Sequence, residues 1–216
     1  MKELPLFIVF EGIDGSGTTT QGNRLQARFE ERGHGILRTS EPSQGAIGSL
    51  LRSALRGQTD HRLSPRQVAL LFAADRLDHC EHELSPALAE GRVIICDRYL
   101  GSTLTFQVID GDGELSPEWL RSINQPILEP DLTFLIDVPV EVSMERIIRR
   151  GKPLERFEVE QTLRRVRERY LTVMSSERAG LGEVHVIDGT PDADVVQAAV
   201  WSRVEAYLER RVESAG

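Results

Sequence analysis

Gly12-Ile13-Asp14-Gly15-Ser16-Gly17-Thr18-Thr19 joins an apolar run, Leu6-Phe7-Ile8-Val9-Phe10, to the polar start of a helix. A β-prone run, a glycine-rich turn and a helix, in that order, make a phosphate-binding arrangement. Glycines let successive backbone N–H groups curl inward, and the helix N-terminus adds positive partial charge. The spacing is that of G-x-x-x-x-G-K-[ST], with Thr18 standing where the lysine belongs. A glycine-rich β–α turn that binds nothing is the alternative, and the rest of the chain weighs against it.

The chain has 216 residues, 40% of them apolar and 28% charged, which suits a single soluble α/β domain spanning 1–216. Its net charge of −8 argues against a nucleic-acid polymer as partner, since such proteins are usually basic. An anionic substrate must therefore be captured by local basic clusters. Cys80 and Cys96 stand in no zinc-binding or C-x-x-C spacing, so a reducing compartment is expected. The apolar run before Glu11 is too short for a signal sequence, and no stretch reaches the length of a membrane span. These features predict a cytoplasmic protein without a membrane partner.

Residues 6–11 read as a parallel strand buried on both faces, because the run is apolar without alternation. A helix from about Thr18 carries Leu25 and Phe29 and stops at Arg32-Gly33, a basic last turn and a C-cap glycine. Gly35-Ile36-Leu37-Arg38-Thr39 reads as the second strand, ended by Glu41-Pro42. The next helix places Ile47, Leu50, Leu51 and Leu55 on one face and runs to Gly57. Ser64-Pro65 is an N-cap followed by proline at the first helical position. The helix from there carries Val68, Leu71, Phe72 and Leu77, and the helical region ends near Gly91. Val93-Ile94-Ile95-Cys96 is the third strand; 109–113 reads as a loop and Ser116-Pro117-Glu118 as a helix start. Leu132 to Val138 is a strand, and a helix from Pro139 leads to Arg149-Arg150-Gly151-Lys152-Pro153. A charged helix over about 157–178, a strand at 184–187 and a closing helix over about 191–211 complete the chain. Strands alternating with helices imply one doubly wound parallel sheet. Ligands of such sheets sit at the carboxyl ends of the strands, an edge that would gather Asp14, Glu41, Asp97, Arg98 and Asp137.

Asp97-Arg98-Tyr99 follows a strand, where a P-loop enzyme keeps its magnesium-organising acid. Mg²⁺ is a hard cation held by hydroxyl, carboxylate, water and phosphate oxygens, so Thr19 and Asp97 are its candidate ligands. An ion pair that fixes the following helix is the plainer reading of the same residues. Arg149, Arg150, Lys152 and Arg156 form a cationic cluster broken by glycine and proline. That cluster reads as a phosphate-closing lid over about 149–157, with a solvated helix end as its alternative. Leu71-Phe72-Ala73-Ala74-Asp75-Arg76, on spacing alone, is a core-facing helix with one exposed ion pair.

Taken together the residues resemble thymidylate kinase. The match is carried by F-E-G-I-D-G-S-G-x-T-T-Q at 10–21, E-P at 41–42, L-L-F-A-A-D-R at 70–76, D-R-Y at 97–99 with Ser102 and Gln107, and P-D-L-T-F-L-I-D-V-P at 130–139. E-R-F-E at 155–158 and R-V-R-E-R-Y-L at 165–171 are similar to the family's as well. The resemblance implies a P-loop NTPase fold, a five-stranded parallel sheet with helices on both faces and a short lid. It also implies a homodimer that moves the γ-phosphoryl of ATP to dTMP with Mg²⁺. Gly12, Ile13, Asp14, Gly15, Ser16, Gly17, Thr18, Thr19 and Thr20 would hold ATP. Phe72 would stack on thymine, with Arg76 and Thr103 reading its edge, and Phe106 would crowd the 2′ position. Arg52 and Arg98 would hold the dTMP phosphate, and Glu41, Pro42, Ser102 and Gln107 complete the acceptor site. Asp14 would face the sugar and the metal. Arg149, Arg150 or Arg156 would supply the catalytic arginine.

Two positions depart from the family pattern. Thr18 replaces the P-loop lysine and Ser40 replaces the arginine before Glu-Pro, each removing a cation. Arg38 and the cluster at 149–156 are the cations left to compensate. The expected activity is formation of dTDP and ADP, with Asp14 and Asp97 as orienting groups and no general base. Two alternatives stay open: a kinase of another base preference, and a nucleotide-binding homologue that has lost catalysis with its lysine.

Overall fold

The computed structural model describes residues 3–151 and 159–213. Strands β1 (Leu6–Glu11), β2 (Ile36–Ser40), β3 (Val93–Asp97), β4 (Leu132–Asp137) and β5 (Glu183–Asp188) form one parallel sheet in the order β2-β3-β1-β4-β5. Every residue of central β1 is buried, with Phe7 and Val9 in one core and Leu6, Ile8 and Phe10 in the other. A strand covered on both faces has no reason to alternate polar residues, which is why the run reads as continuous. Helices α1 (Thr18–Glu30) and α9 (Ala193–Glu213) cover one face through Leu25, Phe29, Val200 and Trp201. Helices α5 (Leu100–Asp110) and α8 (Glu160–Ser176) cover the other through Leu104, Val166, Tyr170 and Val173. The pairing sets Phe10 and Ser40 both beside Asp97, so β1, β2 and β3 end level and their following loops meet above one edge.

The remaining helices are α2 (Ala46–Leu55), α3 (Pro65–His79), α4 (Ser85–Ala89), α6 (Pro117–Ile123) and α7 (Val140–Arg149). Ser64 caps α3 reciprocally: its hydroxyl accepts from Gln67 N–H at 3.3 Å, and Gln67 Oε1 accepts from Ser64 N–H at 2.9 Å. Three features differ from the sequence reading. Leu77 is exposed, and α3 instead buries Ala69, Ala73, Asp75, Arg76 and His79. That face meets polar partners rather than the sheet, so apolar periodicity does not describe it. Between α3 and α4 the helix widens at Cys80–Leu84, where Ser85 N–H reaches back to Cys80 C=O. The wide turn precedes Pro86, whose ring would otherwise press on the carbonyl four residues earlier. Finally, α5 runs through Asp110, so the loop expected from 109 begins at Gly111.

Candidate active site

The loop after β1 is shaped by what glycine leaves out. A Cβ on Gly12 would meet Ser16 Oγ at 2.5 Å and Ile136 O at 2.8 Å, and one on Gly15 would meet Ser143 O at 2.7 Å. Helix α7 engages the loop's carbonyls from behind. Ser143 Oγ donates to Asp14 O at 2.6 Å, and Arg146 Nη1 donates to Ser16 O at 3.1 Å and Gly15 O at 3.4 Å. Because the C=O and N–H of a trans peptide point oppositely, these bonds turn the N–H groups of Gly15 and Gly17 away from α7. Gly17, at φ 106°, caps α1 without a side-chain bond, leaving first-turn N–H groups for an anion. Gly12 opens the loop, Thr18 and Thr20 stand in the first turn of α1, and residues 13–21 line a cleft of about 640 Å³ with Ser40, Glu41, Asp97, Arg98, Arg146 and Arg150.

Arg150 therefore stands at this cleft as expected of a phosphate-neutralising group. Arg149 does not line it; its guanidinium pairs with Glu145 at 2.5 Å on the exposed side of α7. Lys152, Pro153, Arg156 and most of the expected lid lie outside the described residues. Thr19 Oγ1 donates to Asp97 Oδ2 at 2.7 Å, so the two candidate metal ligands meet at the cleft's floor. Among the described residues no group of three or more His, Cys, Asp or Glu could form a cage of its own. The oxygen donors present suit Mg²⁺, which takes one or two side chains and completes its shell with water and phosphate.

Arg98 forms the wall at the opposite end. Its backbone is left-handed, φ 71°, with its N–H donating to Phe10 O at 2.8 Å. Such a conformation in a non-glycine residue is unfavourable and persists only where surroundings enforce it. Its guanidinium donates to Asp14 Oδ1 at 2.6 Å, Tyr170 Oη at 3.1 Å and Gly12 O at 3.3 Å, and lies 5.1 Å from the Phe106 ring centre. Burial opposes this charge, but Tyr170, Asp14, Asp97 and Glu11 raise its pKa further, so it stays a cation. Beneath it, Glu11 accepts from Tyr99 N–H and Ser102 N–H, each at 2.9 Å, from Ser102 Oγ at 2.6 Å and from Tyr170 Oη at 3.1 Å. Burial pushes the Glu11 carboxyl up despite those bonds.

Beyond Arg98 lies a second cavity of about 250 Å³, lined by Pro42, Leu55, Phe72, Arg76, Phe106 and Gln107 among others. Asp14, Glu41 and Arg98 line both spaces and form the wall between them. Arg76 is 1% exposed, the reverse of the exposed ion pair that its spacing suggested. It pairs with Glu41 at 2.6 Å and donates to Thr103 Oγ1 at 3.0 Å and to Asn124 Oδ1. Glu41 also meets His79 Nδ1 at 3.3 Å. Arg76 Nε and Gln107 Oε1 are buried without a partner, a state polar atoms seldom keep unless a ligand completes them.

Of the expected acceptor residues, Ser102 lines this cavity with those above, whereas Thr103 stands behind Arg76 and Arg52 stands to one side. Arg52 donates to Pro42 O at 3.0 Å, to Ser43 O and to Ser49 Oγ at 3.0 Å, bracing the loop after β2. Asp137 is held by Arg167 in a two-pronged ion pair of 2.7 and 2.9 Å. Sequence reasoning missed Arg146, Ser143, Asn124, Glu11 and Tyr170. Arg146 had a signal, standing four residues before Arg150 and hence on the same helical face. The others act through long-range contacts that no local spacing announces.

Comparison with known proteins gives a consistent result. The family model described as thymidylate kinase matches residues 10–200. A "Probable thymidylate kinase" of Pyrococcus horikoshii is 42% identical over 76% of this chain and 80% of its own length. One of Thermococcus kodakarensis is 36% identical over 94% of this chain and 98% of its own. A "Thymidylate kinase" of Thermomicrobium roseum is 38% identical over 94% and 96% respectively.

Proposed function

Because the chain belongs to the thymidylate kinase family, we propose that it moves the γ-phosphoryl of ATP to the phosphate of dTMP, yielding ADP and dTDP. The observation that carries this reading is the shared wall of Asp14, Glu41 and Arg98 between a phosphate-loop cleft and a second, smaller cavity. A phosphate oxygen of dTMP would attack the γ-phosphorus as the bond to the ADP oxygen breaks. Such a transfer needs alignment and charge neutralisation rather than covalent help from the protein. The N–H groups of the loop would cradle ATP, Arg98 would grip the group in transit, and Arg146 and Arg150 would hold the donor side. Phe72 would stack on the base while Arg76 and Gln107 meet its polar edge, Arg76 through the unpartnered Nε. Mg²⁺, held by Thr19 and Asp97 with Asp14 nearby, would neutralise phosphate charge.

The test is a coupled assay of ADP release over dTMP, dUMP, CMP, AMP, GMP and thymidine. Release that depends on dTMP above the others supports the reading; preference for another acceptor overturns the base assignment. Thr18 favours a second reading, nucleotide binding without transfer, which predicts ATP binding with no acceptor-dependent ADP release. A homodimer belongs to the main reading and is supported by exposed Leu70 and Leu77 along α3, beside a recess lined by Ile123 and Ile127. Light scattering on the eluting protein tests it. No helix among the described residues is long and apolar enough to cross a membrane.

A further inference from the structure

Thr18 and Ser40 leave the phosphate loop short of positive charge, and Arg38 brings a cation to it from the side. Arg38 and Ser40 lie two apart on β2, hence on one face of the sheet, and Ser40 pairs with Asp97. The Arg38 guanidinium crosses α1 where Gly22 has no side chain: a Cβ there would stand 2.5 Å from Nη2 and 2.8 Å from Cζ. Gly22 is four residues past Thr18 and faces the same way. Glycine is a poor choice inside a helix, so its presence calls for a reason, and the lodged guanidinium is one. Arg38 Nη1 donates to Thr39 O and Ile95 O, both at 3.0 Å, while Nε is buried without a partner. Nη2 lies 3.7 Å from Asp97 Oδ2, the same oxygen that receives the Thr19 hydroxyl.

Asp97 is an anion on the floor of a cleft built for polyphosphate, so uncompensated it repels its ligand. We propose that Arg38 is the standing counter-ion of Asp97: seated in the notch left by Gly22, it cancels that repulsion and keeps the carboxylate turned to Thr19. The sheet thereby supplies part of the charge that the loop lacks at Thr18. Arg38 does not line the cleft, so it is a positioning residue that acts through Asp97. The proposal rests on the loop being an ATP site and not on the identity of the acceptor.

Calorimetric binding of ATP, once in EDTA and once in saturating Mg²⁺, tests it. Arg38→Met keeps much of the side chain's bulk and removes its charge. Kd in EDTA is expected to rise roughly tenfold, and Kd in Mg²⁺ by less than about threefold, because the metal then neutralises Asp97. Adding Asp97→Asn should return the metal-free Kd to within about threefold of Asp97→Asn alone, since the repelling charge is gone. Gly22→Ala displaces the guanidinium while improving helix propensity. It should weaken metal-free binding with no loss of thermal stability, and it carries the test even where Arg38→Met does not fold. Unchanged metal-free binding in Arg38→Met, equal loss with and without metal, or no rescue by Asp97→Asn would each overturn the proposal alone. Absence of ATP binding in the unaltered protein would overturn the donor-site reading beneath it.

Discussion

At Thr18 the side chain is short and neutral, so it cannot bridge phosphates as a lysine does. Whatever neutralises the transferring group already stands elsewhere, and Thr18→Ala is expected to change kcat by less than ~10-fold, about 1.4 kcal/mol of barrier. Arg98 differs in kind: a half-buried cation in a left-handed backbone, fixed by Asp14 and Tyr170. Removing it leaves Asp14 without its ion pair and, on the proposed reading, the passing phosphoryl without its clamp, so Arg98→Ala is expected to cost ~10²-fold or more in kcat. Steady-state kinetics of both variants, with thermal melts as the check on folding, decide it; collapse on Thr18→Ala with Arg98→Ala nearly silent would exchange their roles. Phe72 is half-buried and lines the cavity beyond Arg98. Phe72→Ala is expected to raise KM for dTMP by one to two orders of magnitude, matching ~1–3 kcal/mol of stacking, with KM for ATP unmoved. Equal losses for both nucleotides would return Phe72 to a packing role.

Helix α7 shows how one element divides similar residues between tasks. Arg146 reaches the carbonyls of Gly15, Ser16 and Gly189, joining the phosphate loop to the turn before α9. Arg149, one face away, pairs among the described residues with Glu145, an exposed pair of the kind worth ~0.3–0.5 kcal/mol. Arg146→Met is therefore expected to raise KM for ATP roughly tenfold by loosening the loop, while Arg149→Ala stays within about twofold of the unaltered protein. Measuring KM for ATP in both variants checks the division, and a larger effect at Arg149 would reverse it. The cationic run at 149–156 was visible as composition, but which of its described members lines the cleft depends on helical phase. Helix α3 carries the same lesson, because the apolar residues that mark it as a helix are not the ones it buries most deeply. Asp75 turns inward to hold Ser43 N–H at 2.8 Å and Ser43 Oγ at 2.5 Å, which shapes the loop carrying Glu41.

Across the whole molecule, Glu11 joins the central strand to α5 and α8 beneath Arg98. Burial raises its pKa, so the folded state holds a proton that the unfolded chain would release between the ordinary glutamate value of about 4.3 and the raised one. Its contribution to stability is thus fully present below the unfolded pKa and is lost as pH rises through the folded one. Glu11→Gln lacks this titration. Denaturant unfolding of both forms from pH 4 to 7 is expected to show the unaltered protein losing ground to the variant, on the order of 1 kcal/mol per pH unit within that interval. A stability difference that does not vary with pH would mean that Glu11 titrates normally.

Local pattern alone determined the order of strands and helices, the parallel sheet and the phosphate loop with its missing lysine. Each of these depends on neighbours within a few residues: an apolar run without alternation, glycines where side chains would clash, an N-cap before a proline. With 26 basic and 34 acidic side chains in the chain, the sequence had no means of saying which guanidinium meets which carboxylate. Only the tertiary structure decided that Arg76 is buried on Glu41, that Arg52 is turned to backbone carbonyls, and that Arg38 crosses Gly22 to reach Asp97. These partners come from separate segments, and the sheet's strand order and register, rather than any spacing along the chain, set the distances at which charges can pair.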